Sequence, residues 1–223
     1  ALTAQNTQGV DGIQLVPPSF VASQIETAFA DVRVDAVKIG MIATAKIATA
    51  VAEALGDHRD IPIVLDPVMI AKGGAPLLQA DAMEALRTKL VPLATLITPT
   101  LPEAARLLMT EEAETREAMA EQARALTDLG PKAALVKGGH LEADESPDVL
   151  RVEADTHWFE GARTQTQNTH GTGCTLSSAL AAQLAKGLTA QEAVQAAKHF
   201  VSGAIAAADA LTVGQGHGPV HLF

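Results

Sequence analysis

Apolar residues recur along this chain at two spacings, one suited to short buried strands and one to amphipathic helices. Between residues 18 and 32, Phe20, Val21, Ile25, Ala28 and Phe29 fall at helical spacing and predict a first helix. Residues 35–39 read as a short strand. A helix over 44–55, with Thr44 as its N-cap, is followed by a buried strand over 61–65 that ends at Asp66-Pro67. Residues 79–90 predict a helix, and 94–98 a strand that Pro99 stops. Two helices come next, 101–109 and 114–129, the second ended by Gly130-Pro131. A strand over 133–136 runs into Lys137-Gly138-Gly139. The acidic stretch 141–155 contains Pro147 and reads as a mobile excursion, with β character resuming over 156–159. Helices over 175–186 and the Ala-rich 190–208 follow.

Strand–helix alternation of this kind implies an α/β fold in three layers, α/β/α, around a mostly parallel central sheet with right-handed crossovers. No linker or low-complexity stretch divides residues 1–223, so they read as a single domain. Ligands in such sheets bind beyond the carboxyl ends of the strands. Asp66, Glu103, Lys137 and Cys174 each fall at or just after a strand end or at a helix start, which marks that rim as the candidate site.

Composition narrows the possible partners. Sixteen basic against 26 acidic residues give a net charge of −10, the wrong sign for a protein whose main partner is nucleic acid or an anionic membrane. With 5 Phe, 1 Trp and no Tyr, there is little material for stacking single-stranded bases. The single Cys forms no internal disulfide and fits a reducing, cytoplasmic setting. No apolar run reaches the roughly 18–20 residues of a membrane span. Of the seven histidines only His217 and His221 stand at an H-x-x-x-H spacing, with no Cys or second His pair to complete a zinc set, so His140, His170 and His217 read as structural or nucleotide-adjacent.

The most chemical stretch is Asn168-Thr169-His170-Gly171-Thr172-Gly173-Cys174-Thr175, which leads into a helix. Glycine allows positive φ and close approach of the backbone to a ligand. The first N–H groups of a helix lack intrahelical partners and carry the positive end of its dipole. Gly171, Thr172 and Gly173 thus form an anion hole suited to a phosphoryl group in transfer, and the chain reads as a small-molecule kinase. Lys137, following a strand and preceding two glycines, can reach the same phosphate as a point charge.

Residues 168–178 resemble the signature of the bacterial hydroxymethylpyrimidine/phosphomethylpyrimidine kinases, in the ribokinase-like superfamily. Thr3-Ala4-Gln5-Asn6-Thr7, Lys38-Ile39-Gly40-Met41, Leu65-Asp66-Pro67-Val68-Met69, Val136-Lys137-Gly138-Gly139-His140 and Gly216-His217-Gly218-Pro219-Val220 agree in the same order. The resemblance implies ATP-dependent phosphorylation of 4-amino-5-hydroxymethyl-2-methylpyrimidine and then of its monophosphate in thiamine biosynthesis, by a homodimer. It implies that Cys174, standing where most sugar kinases of the superfamily place Asp, takes the proton of the substrate hydroxyl or positions that oxygen. A thiol at a helix N-terminus is a candidate thiolate. Lys137 and Thr169 would contact the nucleotide, and Asp66 and Glu103 would lie near Mg²⁺. Gln5, Met41 and Val68 would hold the pyrimidine, Gln5 offering both a donor and an acceptor. Two departures stand out. Thr100 replaces the Asn of the family's Asn-x-x-Glu, and the Gly-rich strand-turn and helix that precede Thr3 in the family are not seen, so the chain is expected to lack that segment. A pyridoxal kinase-like activity and a non-catalytic binding domain of the same fold remain as alternatives.

Overall fold

The computed structural model describes residues 1–70, 77–79, 81–139 and 146–223. An antiparallel hairpin, β1 (Leu2–Gln5) and β2 (Val10–Gln14), comes first and is followed by α1 (Pro18–Asp31). Then comes a six-stranded sheet whose spatial order is its chain order: β3 (Val37–Ile39), β4 (Ile63–Leu65), β5 (Leu96–Ile97), β6 (Ala133–Lys137), β7 (Asp148–Val152) and β8 (Asp155–Phe159). Pairings from β3 to β6 are parallel; β7 and β8 add antiparallel strands. The sheet is therefore mixed.

Side-chain alternation along the strands divides the core in two. Ile63, Leu65, Ile97, Ala134, Val136 and Val149 pack with α2 (Ala45–Leu55), α4 (Leu101–Leu108) and α5 (Arg116–Thr127). Their alternates Val64, Leu96, Ala133, Leu135 and Leu150 pack with α6 (Thr172–Ala185) and α7 (Ala190–Ala206). The small buried residues Ala193 and Ala197 let α7 lie close to that face. The three layers are α/β/α as the alternation implied.

Local signals behave as expected where side-chain chemistry is explicit. Thr44 caps α2 by accepting from the Ile47 N–H at 3.2 Å, and Thr115 caps α5 in the same way. The helix expected over 79–90 is α3 (Ala82–Ala85), continuing as a π turn over Leu86–Leu90 and a 3-10 turn over Val91–Leu93, where Pro92 cannot continue a helical ladder. Two expectations need correction. The hairpin was not legible, because nearly all of it is exposed and its register rests on an Asn6 side chain that accepts from the Gln8 and Gly9 N–H groups. The stretch 141–155 is not simply an excursion: residues 148–152 form β7, paired on both sides, with Val149 and Leu150 fully buried. Residues 141–145 of that reading lie outside the described residues. Among the described residues, no helix is long and apolar enough to cross a membrane.

Candidate active site

The parallel strands deliver their last residues to one rim, and the ladder continues just past each strand. Asp66 N–H donates to Ile39 O at 2.9 Å, Thr98 N–H to Leu65 O at 3.0 Å, and Lys137 N–H to Pro99 O at 2.9 Å. The same two-residue period that turns Val64, Leu96 and Leu135 toward α6 puts Asp66, Thr98 and Lys137 on that side. Asp66 is buried, at 2% exposure. The Lys137 ammonium donates to its Oδ1 at 3.1 Å, and the Thr98 hydroxyl donates to the same oxygen at 3.2 Å. Ser177, fully buried on α6, reaches Oδ2 at 3.3 Å, and also the Gly173 and Cys174 carbonyls at 3.0 and 3.2 Å. Its one proton serves one of these acceptors at a time.

Burial works against the charged form of Lys137. The charges of Asp66 and Glu103, the hydrogen bond to Asp66 and the more distant Asp148 outweigh it, and hold the ammonium above the ordinary lysine range. Lys137 is therefore a cation at neutral pH, fixed at the sheet end but bound to a single carboxylate.

Helix α6 begins at Thr172, three residues earlier than its apolar spacing predicted. Gly171 is its N-cap, with φ +83°, so this glycine meets a left-handed backbone. Gly173 serves differently. A Cβ there would lie 3.5 Å from Lys137 Nζ and 3.7 Å from Asp66 Oδ2, so the missing side chain leaves the first turn of α6 open to the ion pair. Thr172 anchors the turn by donating to Thr169 O at 2.8 Å, and Cys174 is exposed. Glu103 reaches back from the first turn of α4 to accept the Thr100 N–H at 2.8 Å, half of a capping box. Thr100 thus keeps a helix-starting role where the family pattern has Asn.

All the predicted site residues meet around one cavity of about 700 Å³. Its lining includes Gln5, Met41, Asp66, Val68, Glu103, Lys137 and Thr169 through Cys174. That volume is in the usual range for a small-molecule site. A separate hollow of about 650 Å³ between α1 and α2 holds none of them. Gln5 Nε2 lies 3.4 Å from His170 Nε2, joining hairpin to loop. A C-terminal strap ties these pieces together. The Gly216 N–H donates to Thr7 Oγ1 at 3.2 Å and the His217 N–H to Thr7 O at 2.8 Å. Asn168 accepts from the Gly218 N–H at 3.1 Å and donates to Asp209 at 2.9 Å. Sequence reasoning missed Thr98, Ser177 and the cavity-lining Arg106. A polar residue closing an apolar strand, and one a helical turn beyond Gly173, were the available signals for the first two.

The arrangement bears on metal binding too. Among the described residues no three His, Cys, Asp or Glu side chains converge into an all-protein cage. Both Asp66 oxygens and Glu103 Oε2 already have partners. Two carboxylates so engaged fit a cation that keeps its waters and shares phosphate oxygens, the habit of Mg²⁺.

A profile described as phosphomethylpyrimidine kinase matches residues 1–221. The chain belongs to the phosphomethylpyrimidine kinase family. Within it, the chain is 51% identical over its whole length to the hydroxymethylpyrimidine/phosphomethylpyrimidine kinase of Salmonella typhimurium, spanning 84% of that protein. It is 48% identical, over 99% of its length, to the thiamine biosynthesis bifunctional protein ThiED of Geobacter sulfurreducens, of which it spans 44%. Among solved structures, the pyridoxal kinase from Staphylococcus aureus in complex with AMP-PCP and pyridoxal superposes with a TM-score of 0.87 at 32% identity, covering 100% of this chain and 81% of the other. The chain thus shares its ribokinase-like fold with a pyridoxal kinase.

Proposed function

We propose that this chain transfers the terminal phosphoryl group of ATP to the hydroxymethyl oxygen of 4-amino-5-hydroxymethyl-2-methylpyrimidine, and a second one to the resulting monophosphate, in thiamine biosynthesis. The observation that carries the reading is the meeting, in one cavity, of Cys174 at an open helix N-terminus with the Lys137–Asp66 pair. In the first step Cys174 takes the hydroxyl proton as the oxygen bonds to phosphorus and the bond to the ADP oxygen breaks; in the second, a phosphate oxygen of the monophosphate is the nucleophile, and ADP again leaves. The N–H groups of Gly173 and Cys174 and the Lys137 ammonium stabilise charge on the moving phosphoryl group, while the Thr172 N–H is turned back onto Thr169 O at 3.3 Å. Asp66 and Glu103 are the residues that would hold Mg²⁺, and the ion would neutralise nucleotide phosphate charge. Thr169 adds a nucleotide contact, while Gln5, Met41 and Val68 frame the ring.

The 51% identity to a named pyrimidine kinase against 32% to a pyridoxal kinase favours the pyrimidine as substrate. A coupled ADP-release assay with both alcohols tests this. Turnover of the pyrimidine is expected, and turnover of pyridoxal alone would overturn the reading. Binding of the pyrimidine without turnover would instead mark a non-catalytic domain. A homodimer in the cytoplasm completes the proposal. The exposed β1–β2 hairpin, with Leu2 64% exposed, supports the dimer because a two-stranded hairpin gains little stability alone.

A further inference from the structure

The turn after Lys137 is held by a buried ion pair that no part of the proposed chemistry uses. Asp148 opens β7 directly opposite Lys137. Its Oδ1 accepts the Gly138 N–H at 3.0 Å, and its Oδ2 accepts from Lys198 Nζ at 2.8 Å. Lys198, on α7, spends its other two protons on the Ser146 carbonyl at 3.1 Å and the Phe159 carbonyl at 2.8 Å. All three ammonium donors are therefore placed. The two side chains are only 13% and 11% exposed. Gly138 is packed so tightly that a Cβ on it would collide with the Pro147 carbonyl oxygen.

One ammonium on α7 thus joins the start of β7, the end of β8 and, through Asp148, the peptide that follows Lys137. The Lys137 backbone is gripped on both flanks, by Pro99 O before it and by Asp148 Oδ1 after it. A strand that ended in a free glycine turn would let the Lys137 side chain drift. We infer that Lys198 and Asp148 are positioning residues, which hold the Lys137 ammonium where it meets the transferring phosphate. The inference rests on the phosphate role proposed for Lys137.

The test is a double-mutant cycle with a structural readout. Lys198→Met and Asp148→Asn are each expected to lower kcat about 10–100-fold, the scale of a small misplacement of a reacting group, with KM for the pyrimidine changed less than about twofold. In a Lys137→Ala background, neither should lower kcat further, because each acts through that ammonium. Should Lys198→Met not fold, Asp148→Asn carries the comparison with shape retained. In lysine-15N-labelled protein, the Lys137 ammonium signal, assigned by its loss in Lys137→Ala, should broaden or vanish in the Lys198 and Asp148 variants. Additive losses of kcat in the Lys137→Ala background, or an unchanged Lys137 signal, would overturn the positioning role. Full turnover by Lys137→Ala alone would remove the phosphate reading instead, and the ammonium signal would still decide whether Lys198 positions it.

Discussion

Gly173→Ala should make this protein more stable and nearly inactive. Gly173 is the second helical residue of α6, with no left-handed φ, so a methyl group there costs no backbone strain. The nearest atoms to that methyl, Lys137 Nζ at 3.5 Å and Asp66 Oδ2 at 3.7 Å, stand at ordinary contact distance. Replacing a helical glycine by alanine restricts the unfolded chain and is worth about 0.5–1 kcal/mol. For a chain of this size that raises Tm by about 1–4 °C. The same methyl occupies the gap between the α6 N–H groups and the ammonium, where a phosphate must sit. Displacement of the phosphate by about 1 Å costs on the order of 100-fold in turnover, or about 2.7 kcal/mol of barrier. Gly171→Ala is the counterpart. Its φ of +83° costs about 1–2 kcal/mol, so Gly171→Ala should lower Tm where Gly173→Ala raises it. Melting curves and ADP-release kinetics on the pair decide the matter. A Gly173→Ala enzyme with wild-type turnover, or with a lower Tm, would refute the reasoning.

Other outcomes follow from the same geometry. Cys174→Ala should lower kcat at least about 100-fold with little change in Tm, since the side chain is exposed; undiminished turnover would end its role as base. Lys137→Met leaves the buried Asp66 carboxylate with hydroxyl partners only, and should cost about 3 kcal/mol in urea unfolding. Because the folded pKa of Lys137 is raised, its contribution is complete below the ordinary lysine value of about 10.4 and lost as pH rises through the higher folded value. The stability gap between wild type and Lys137→Met should then be flat from pH 7 to about 10 and narrow above. Asn168→Ala removes the bonds to Gly218 and Asp209, and should raise KM for the pyrimidine more than it lowers kcat.

The sequence made legible those parts of the fold whose signal is local. Thr44 announces a helix start through its own hydroxyl, and Gly171-Thr172-Gly173 announces an anion site through backbone freedom ahead of a helix. Strands β4 to β6 were visible as continuous apolar runs because both of their faces are covered. What stayed hidden depends on partners far along the chain. Asp148 looked like one more acid in a solvated stretch, since Lys198, which permits its burial, lies 50 residues away. Thr98 and Ser177 are ordinary polar residues until folding brings both to Asp66. The resemblance, and not residue spacing, was what singled out Gln5, Met41 and Val68, and the structure places them on the cavity through the hairpin and the loops after β3 and β4.

The strap has a consequence for the order of folding. Strands β3 to β6 join neighbours in sequence, so their sheet can assemble as each segment arrives. The wall that carries Gln5 is closed by Gly216 meeting Thr7 across 209 residues. Contacts of such separation come late, because the loop they close must first be ordered. A folding chain is therefore expected to complete its sheet before the wall that encloses the second substrate. Nucleotide affinity should be recovered before pyrimidine affinity when the unfolded protein is returned to native conditions.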